Sequence, residues 1–177
     1  MKKQWLIALG LALVVALTTA CSNSDSTKSD SKTTSNKTET AANAKADMMQ
    51  FYMNLVDKIN SADKDINAYE SALTADPKPS ADELASLKEK AAAVAPNVEA
   101  NIKELKIPSG LKDKKSDLEA ILKDLEATYQ LKANELKKDQ PSLDAANAKF
   151  SSADDALGKL LQSVGLAKAS LNNDVNS

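Results

Sequence analysis

The chain has 177 residues, 42% of them hydrophobic and 27% charged, a size that suits one domain with appendages. All 23 basic residues are Lys and there is no His, which excludes an imidazole base or metal ligand and any Ser-His or Cys-His nucleophile system. Aromatic residues make up only 3%, with 4 Gly and 5 Pro, while Ala, Leu, Lys and acidic residues are plentiful, so the balance favours helix over sheet.

At the N-terminal end, Lys2 and Lys3 precede the apolar run Leu6 to Leu17, "LIALGLALVVAL", which ends in small residues. Its 12 residues are too few to span a bilayer, which needs about 20 helical residues, and the pattern is that of a secretory signal. The only cysteine, Cys21, follows directly on Ala20 in "LTTAC". This stretch resembles the lipobox of bacterial lipoproteins, although Thr18 stands where Leu is usual and the Leu is one place earlier. The resemblance implies cleavage between Ala20 and Cys21, diacylation of the Cys21 thiol, and a membrane-attached mature protein with no transmembrane helix. Acyl chains contribute about 0.8 kcal/mol per buried methylene, so several anchor far better than one. Residues 1–20 are thus expected as a signal peptide. Residues 21–42 read as a lipidated Cys followed by a disordered tether of Ser, Thr, Asn, Lys and Asp, which lacks the apolar surface needed to offset ordering entropy. A flexible tether of about 20 residues reaches roughly 25 Å.

Residues 43–177 read as a helical domain of four segments. Met48, Tyr52, Leu55, Ile59, Ala62, Ile66, Tyr69 and Leu73 recur at steps of four and three, a 3.5-residue repeat that only a helix makes. "DPKP", Asp76 to Pro79, stops that helix, and "SADE" restarts the chain as a capping box with Ser80 at the N-cap and Glu83 three places on. The second helix carries Leu84, Leu87, Ala91, Val94, Val98, Ile102 and Leu105, with a kink or break expected at Pro96. "IPSG", residues 107–110, makes the next turn. The third helix then aligns Leu111, Leu118, Leu122, Leu125, Tyr129 and Leu136, broadened by Ile121 and Leu131. After "DQPS", residues 139–142, a fourth helix runs through Leu143, Ala146, Phe150, Ala153, Leu157, Leu160, Val164, Ala167 and Leu171, and "NNDVNS" is expected to fray. Gly158 and Gly165 beside that stripe either admit a close neighbour or weaken an exposed face. Short connections make consecutive helices antiparallel. The expected fold is therefore all-α, an up-down-up-down four-helix bundle with coiled-coil-like seams, or alternatively an elongated three-helix coiled coil.

The chemistry is mainly a record of absences. Adjacent carboxylates such as Asp82 and Glu83 or Asp154 and Asp155 do not face each other on a helix and read as solvated surface. No Gly-rich phosphate loop is present. Loss of the signal leaves 21 Lys against 25 acidic residues, a net charge of −4, and without Arg no nucleic-acid partner is expected. Lys alternates with acids, as in Glu99 with Lys103 and Glu119 with Lys123, spacings that suit surface ion pairs. Met48, Met49 and Met53 cluster near the start of the first helix. Thioethers bind Cu(I), but no His or Cys assists and Met48 lies on the core stripe, so packing is the better reading and no metal or other cofactor is expected beyond the diacylglycerol on Cys21. With no group ordinarily titrating between about pH 6 and 9, stability should be nearly flat across that range.

Lipobox, polar tether and helical composition together resemble the small, Lys-rich, all-helical surface lipoproteins of Gram-positive bacteria. That resemblance brings no ligand-binding residues with it. It implies an extracytoplasmic protein anchored in the cell membrane by lipid. The expected role is a non-catalytic interaction module for an envelope protein or cell-wall component. The alternative is a carrier of a small apolar ligand, held between helices kept apart by Pro96 or by the small residues of the fourth helix.

Overall fold

The computed structural model describes residues 32–176, with side chains from residue 42 onward. The expected signal peptide, the Ala20–Cys21 cleavage and lipid site, and the first part of the tether lie outside the described residues. Among the described residues, six α-helices and one 3-10 turn make up the regular structure: α1 (Lys32–Asn60), α2 (Lys64–Thr74), α3 (Ala81–Lys103), the 3-10 turn (Ser109–Lys114), α4 (Lys115–Glu135), α5 (Asp144–Ser163) and α6 (Leu171–Val175). The fold class is all-α, with no strand among the described residues.

Helix α1 begins at Lys32, so residues 32–42, which composition assigns to the tether, are helical. The segment from Lys32 to Asn60 contains neither Gly nor Pro. Extending a helix outward from a packed turn costs far less than nucleating one. The first expected helix is in fact two. Ser61, Ala62 and Asp63 interrupt it, with Ala62 N–H donating to the Ile59 carbonyl in a tightened last turn. Asn101 of α3 donates to the Lys58 carbonyl and to Ser61 Oγ, satisfying the freed end of α1. The ladder resumes where Ile66 and Asn67 donate to the Asp63 carbonyl. Ile59 and Ile66 are fully buried on either side, so the apolar repeat continues across a backbone that does not.

The capping box at Ser80 forms as its spacing dictates. Ser80 Oγ accepts from Glu83 N–H, and the Glu83 carboxylate accepts from Ser80 N–H at 2.9 Å. Helix α3 runs through Pro96 without a break. Pro96 is exposed, so the helix bond it forfeits lies toward water, while Ala95 and Val98 beside it are buried. Leu111 is buried as expected but sits in the 3-10 turn rather than in α4.

The fourth expected helix ends early. Gly165 adopts φ +79°, and Leu166 N–H donates to the Leu161 carbonyl while Gly165 N–H donates to Gln162. This is a Schellman stop, in which a residue without Cβ takes the left-handed conformation. The chain then folds back over α5. An added Cβ at Gly158 would lie 2.9 Å from Lys168 Cε and 3.3 Å from the Ala169 carbonyl oxygen, so Gly158 admits a close neighbour, a returning segment rather than a helix. Far from fraying, "NNDVNS" contributes to α6, whose Leu171 and Val175 are both buried.

In chain order α2, α3, α4 and α5 each pack on the next, α1 packs on α3 and the 3-10 turn, and α6 touches both α5 and α1. Met48, Phe51, Leu55, Ile102, Leu118, Leu125, Leu157 and Leu171 share one core with Ala91, Ala95, Ala133 and Ala153.

Candidate functional site

Two of the three clustered methionines are not in the core. Met48 is fully buried, but Met49 and Met53 are 45% and 53% exposed, so packing accounts for Met48 alone. Asp154 is likewise more than solvated surface: its carboxylate accepts from Leu171 N–H at 2.7 Å and from Ser170 Oγ at 3.0 Å, while Asp155 pairs with Lys168. Both carboxylates hold down the returning segment. Glu99 and Lys103 pair as their spacing predicts, whereas Glu119 reaches back to Lys115 at 3.6 Å rather than forward to Lys123.

The polar groups that converge were not singled out by sequence. Tyr129 follows Leu125 by four, Lys132 follows Tyr129 by three and Leu136 follows Lys132 by four, so Lys132 occupies a core position of α4 and is only 5% exposed. Its Nζ lies 2.7 Å from Glu70 Oε1 of α2, a contact without hydrogen-bond alignment and hence mainly an ion pair, and 5.6 Å from the centroid of the Tyr129 ring. Phe150 of α5 meets that ring edge-on at 6.4 Å.

Asp63, 2% exposed, lies at the break between α1 and α2 and accepts from Asn67 Nδ2 at 3.3 Å. Burial pushes its carboxyl up to about 6, and the charge of Glu70 adds to this, against the hydrogen bond from Asn67 and the charge of Lys132. The Tyr129 hydroxyl is raised well above its ordinary value, first by burial and then by the charges of Asp63 and Glu70.

A cavity of about 160 Å³ opens beside this pair. Asn67 and Glu70 of α2 line one side, Tyr129 and Lys132 of α4 the floor, and Asn147 and Phe150 of α5 another side. Asn172, Val175 and Asn176 close it from the C-terminal segment. That wall is pinned by Asn67 Nδ2 to the Val175 carbonyl at 2.7 Å and Asn60 Nδ2 to the Asp174 carbonyl at 3.1 Å. It is pinned as well by the Tyr52 hydroxyl, which donates to the Asp174 carboxylate. Burial, followed by that bond, raises the Tyr52 hydroxyl above its usual range.

Other depressions are wider but lie on the outside. The groove between α4 and α5, about 410 Å³, is walled by Ala120, Ile121, Ala156 and Leu160 with charged residues at its rim, and among the described residues no buried ion pair adjoins it. Among the described residues no three His, Cys, Asp or Glu side chains are grouped to hold a metal ion, and no helix is long and apolar enough to cross a membrane. The cleft presents mixed donors and acceptors: an ammonium, a phenol and carboxamides around one ion pair. Comparison with protein-family models, with curated proteins and with solved structures finds no match for the chain.

Proposed function

We propose that this protein is a membrane-anchored extracytoplasmic lipoprotein whose helical domain acts as a non-catalytic interaction module for an envelope protein or cell-wall component. In this reading Cys21 carries diacylglycerol after cleavage behind Ala20, and α1 rises from what remains of the tether. The four segments α1–α2, α3, α4 and α5 form an up-down-up-down bundle, with α6 bridging its first and last members. The observation that carries the recognition role is the polar cleft at Lys132. A bundle of this size has no need of a buried ion pair for stability, since well-packed apolar residues serve as well or better. Such a pair beside a lined cavity fits selection of a polar partner.

In-cell crosslinking of the full lipidated protein, followed by purification and mass spectrometry, tests this reading against a variant lacking residues 43–177. Adducts that require the helical domain are the expected result. Recovery of the same lipids and neighbours with and without that domain would contradict an interaction role.

A further inference from the structure

Given the binding role proposed above, the cleft's size, charge and donor inventory together define what it takes. About 160 Å³ is close to the volume of a cavity that holds one six-membered ring and below the range typical of drug-sized ligands. The ligand portion is thus one small ring or its equivalent. Its charge follows from the ionised groups around it. Lys132 is already paired with Glu70, and Asp63 adds a second carboxylate nearby, so an anion meets more negative than positive charge. A cation or a zwitterion would have to compete with the Lys132–Glu70 contact at 2.7 Å, and breaking such a pair leaves a buried charge uncompensated. A neutral molecule leaves the pair intact.

The donors and acceptors complete the description. Lys132 has three N–H groups and is 95% buried, yet among the described residues Glu70 is its one polar contact. Among the described residues, the Tyr129 hydroxyl and the Asn147 carboxamide make no hydrogen bond. These groups offer N–H donors, an amphoteric hydroxyl and an amide oxygen within one small space. Ligand hydroxyls both donate and accept, and so can satisfy such a mixture where an apolar ring cannot.

We propose that the cleft binds one neutral, polyhydroxylated ring of monosaccharide size, held by Lys132, Tyr129 and Asn147 and covered by Asn172 and Asn176 of the C-terminal segment. Such a ring is available either as a free sugar or cyclitol, or as one residue of a wall polymer.

Calorimetric titration of the full-length protein in detergent, with glucose, myo-inositol, N-acetylglucosamine, glucosamine, glucuronate, alanine and toluene as probes, examines the first source. Cosedimentation with insoluble cell wall examines the second. The expected result is saturable one-to-one binding of at least one neutral polyol, or wall binding competed by it. Either should weaken about tenfold in Asn147→Ala, the loss of roughly one good hydrogen bond. Asn147 is exposed, so that variant should melt as the wild type does, separating a binding defect from misfolding. Binding confined to glucosamine, glucuronate, alanine or toluene would overturn the proposal. So would the absence of binding in both arms, or binding that Asn147→Ala leaves unchanged. A protein partner still captured through the domain in cells would then uphold the interaction role while this ligand assignment fails.

Discussion

Asp63→Asn removes a buried carboxyl that titrates well above its ordinary value. In the folded chain the carboxyl titrates at about 6 against an ordinary 3.8, and each unit corresponds to about 1.36 kcal/mol, so the shift is worth about 3 kcal/mol. The sign follows from linkage. The folded state holds the proton more tightly, so this contribution to stability is full below pH 3.8 and is lost as pH rises through about 6. Substitution by Asn keeps an oxygen to accept from Asn67 but removes the ionisation. The variant should therefore match the wild type near pH 4 and exceed its stability at pH 7 by up to about 3 kcal/mol. Urea unfolding followed by circular dichroism at pH 4, 5, 6 and 7 measures the difference. A gap between the two proteins that does not change with pH would mean that Asp63 does not titrate with folding. The near-flat profile expected from composition then applies only above about pH 7, because Asp63 titrates at the lower edge of that range. At more acid pH the order of effects reverses. Glu83, bonded by Ser80, and Glu135, bonded by Lys138, titrate below their ordinary values, so their contribution is lost as pH falls.

Lys132→Met should cost about 3–5 kcal/mol in urea unfolding at pH 7, and Lys132→Met combined with Glu70→Leu should recover most of it; equal destabilisation of both would mean the pair's charge is not what matters. Gly158→Leu fills the space occupied by Lys168 and Ala169, so hydrogen exchange should lose protection across residues 166–176 while α3 and α4 keep theirs, and the stability lost with Leu171 and Val175 burial should be about 3–6 kcal/mol. Cys21→Ser removes the proposed acylated thiol and should shift the protein from the membrane fraction to the soluble fraction, with the acyl mass absent in intact-mass spectra; retention in the membrane would point to another anchor.

Local signals were legible wherever one residue type decides a backbone event. Ser80 with Glu83 starts α3, the Pro-rich stretch after Asp76 separates α2 from α3, and the stripes of α4 and most of α5 are buried as their spacing requires, whereas in α3 only Ala91, Val98 and Ile102 of the stripe are buried, joined by Ala95, and Leu84, Leu87, Val94 and Leu105 are half-buried. The breaks were masked by the continuity of the apolar repeat. Between Ile59 and Ile66 the stripe persists although the helix does not, and the signal passed over was "NSAD", a run rich in residues that bond their own backbone and favour helix ends. At Gly165 the spacing speaks only to bulk, whereas the left-handed backbone conformation decides, and the onward spacing to Leu171 conceals the reversal that brings α6 back over α5. The cleft was least legible. Glu70 and Lys132 each look like surface charge, and only tertiary packing brings them together. A trace existed in α4, where the seven-residue gap between Tyr129 and Leu136 places Lys132 in phase with the core. Asp63 stands in the same relation to Ile59, one turn on.

In the proposed function, a lipid-held domain works through its polar cleft. The most direct measurement places a photoactivatable side chain at Asn147, beside the cleft, or at Glu89, exposed on α3 and no part of it, in the full lipidated protein on living cells. Mass spectrometry then compares what each position captures. A defined adduct at position 147 that position 89 does not yield is expected. Equal capture at both positions would contradict it.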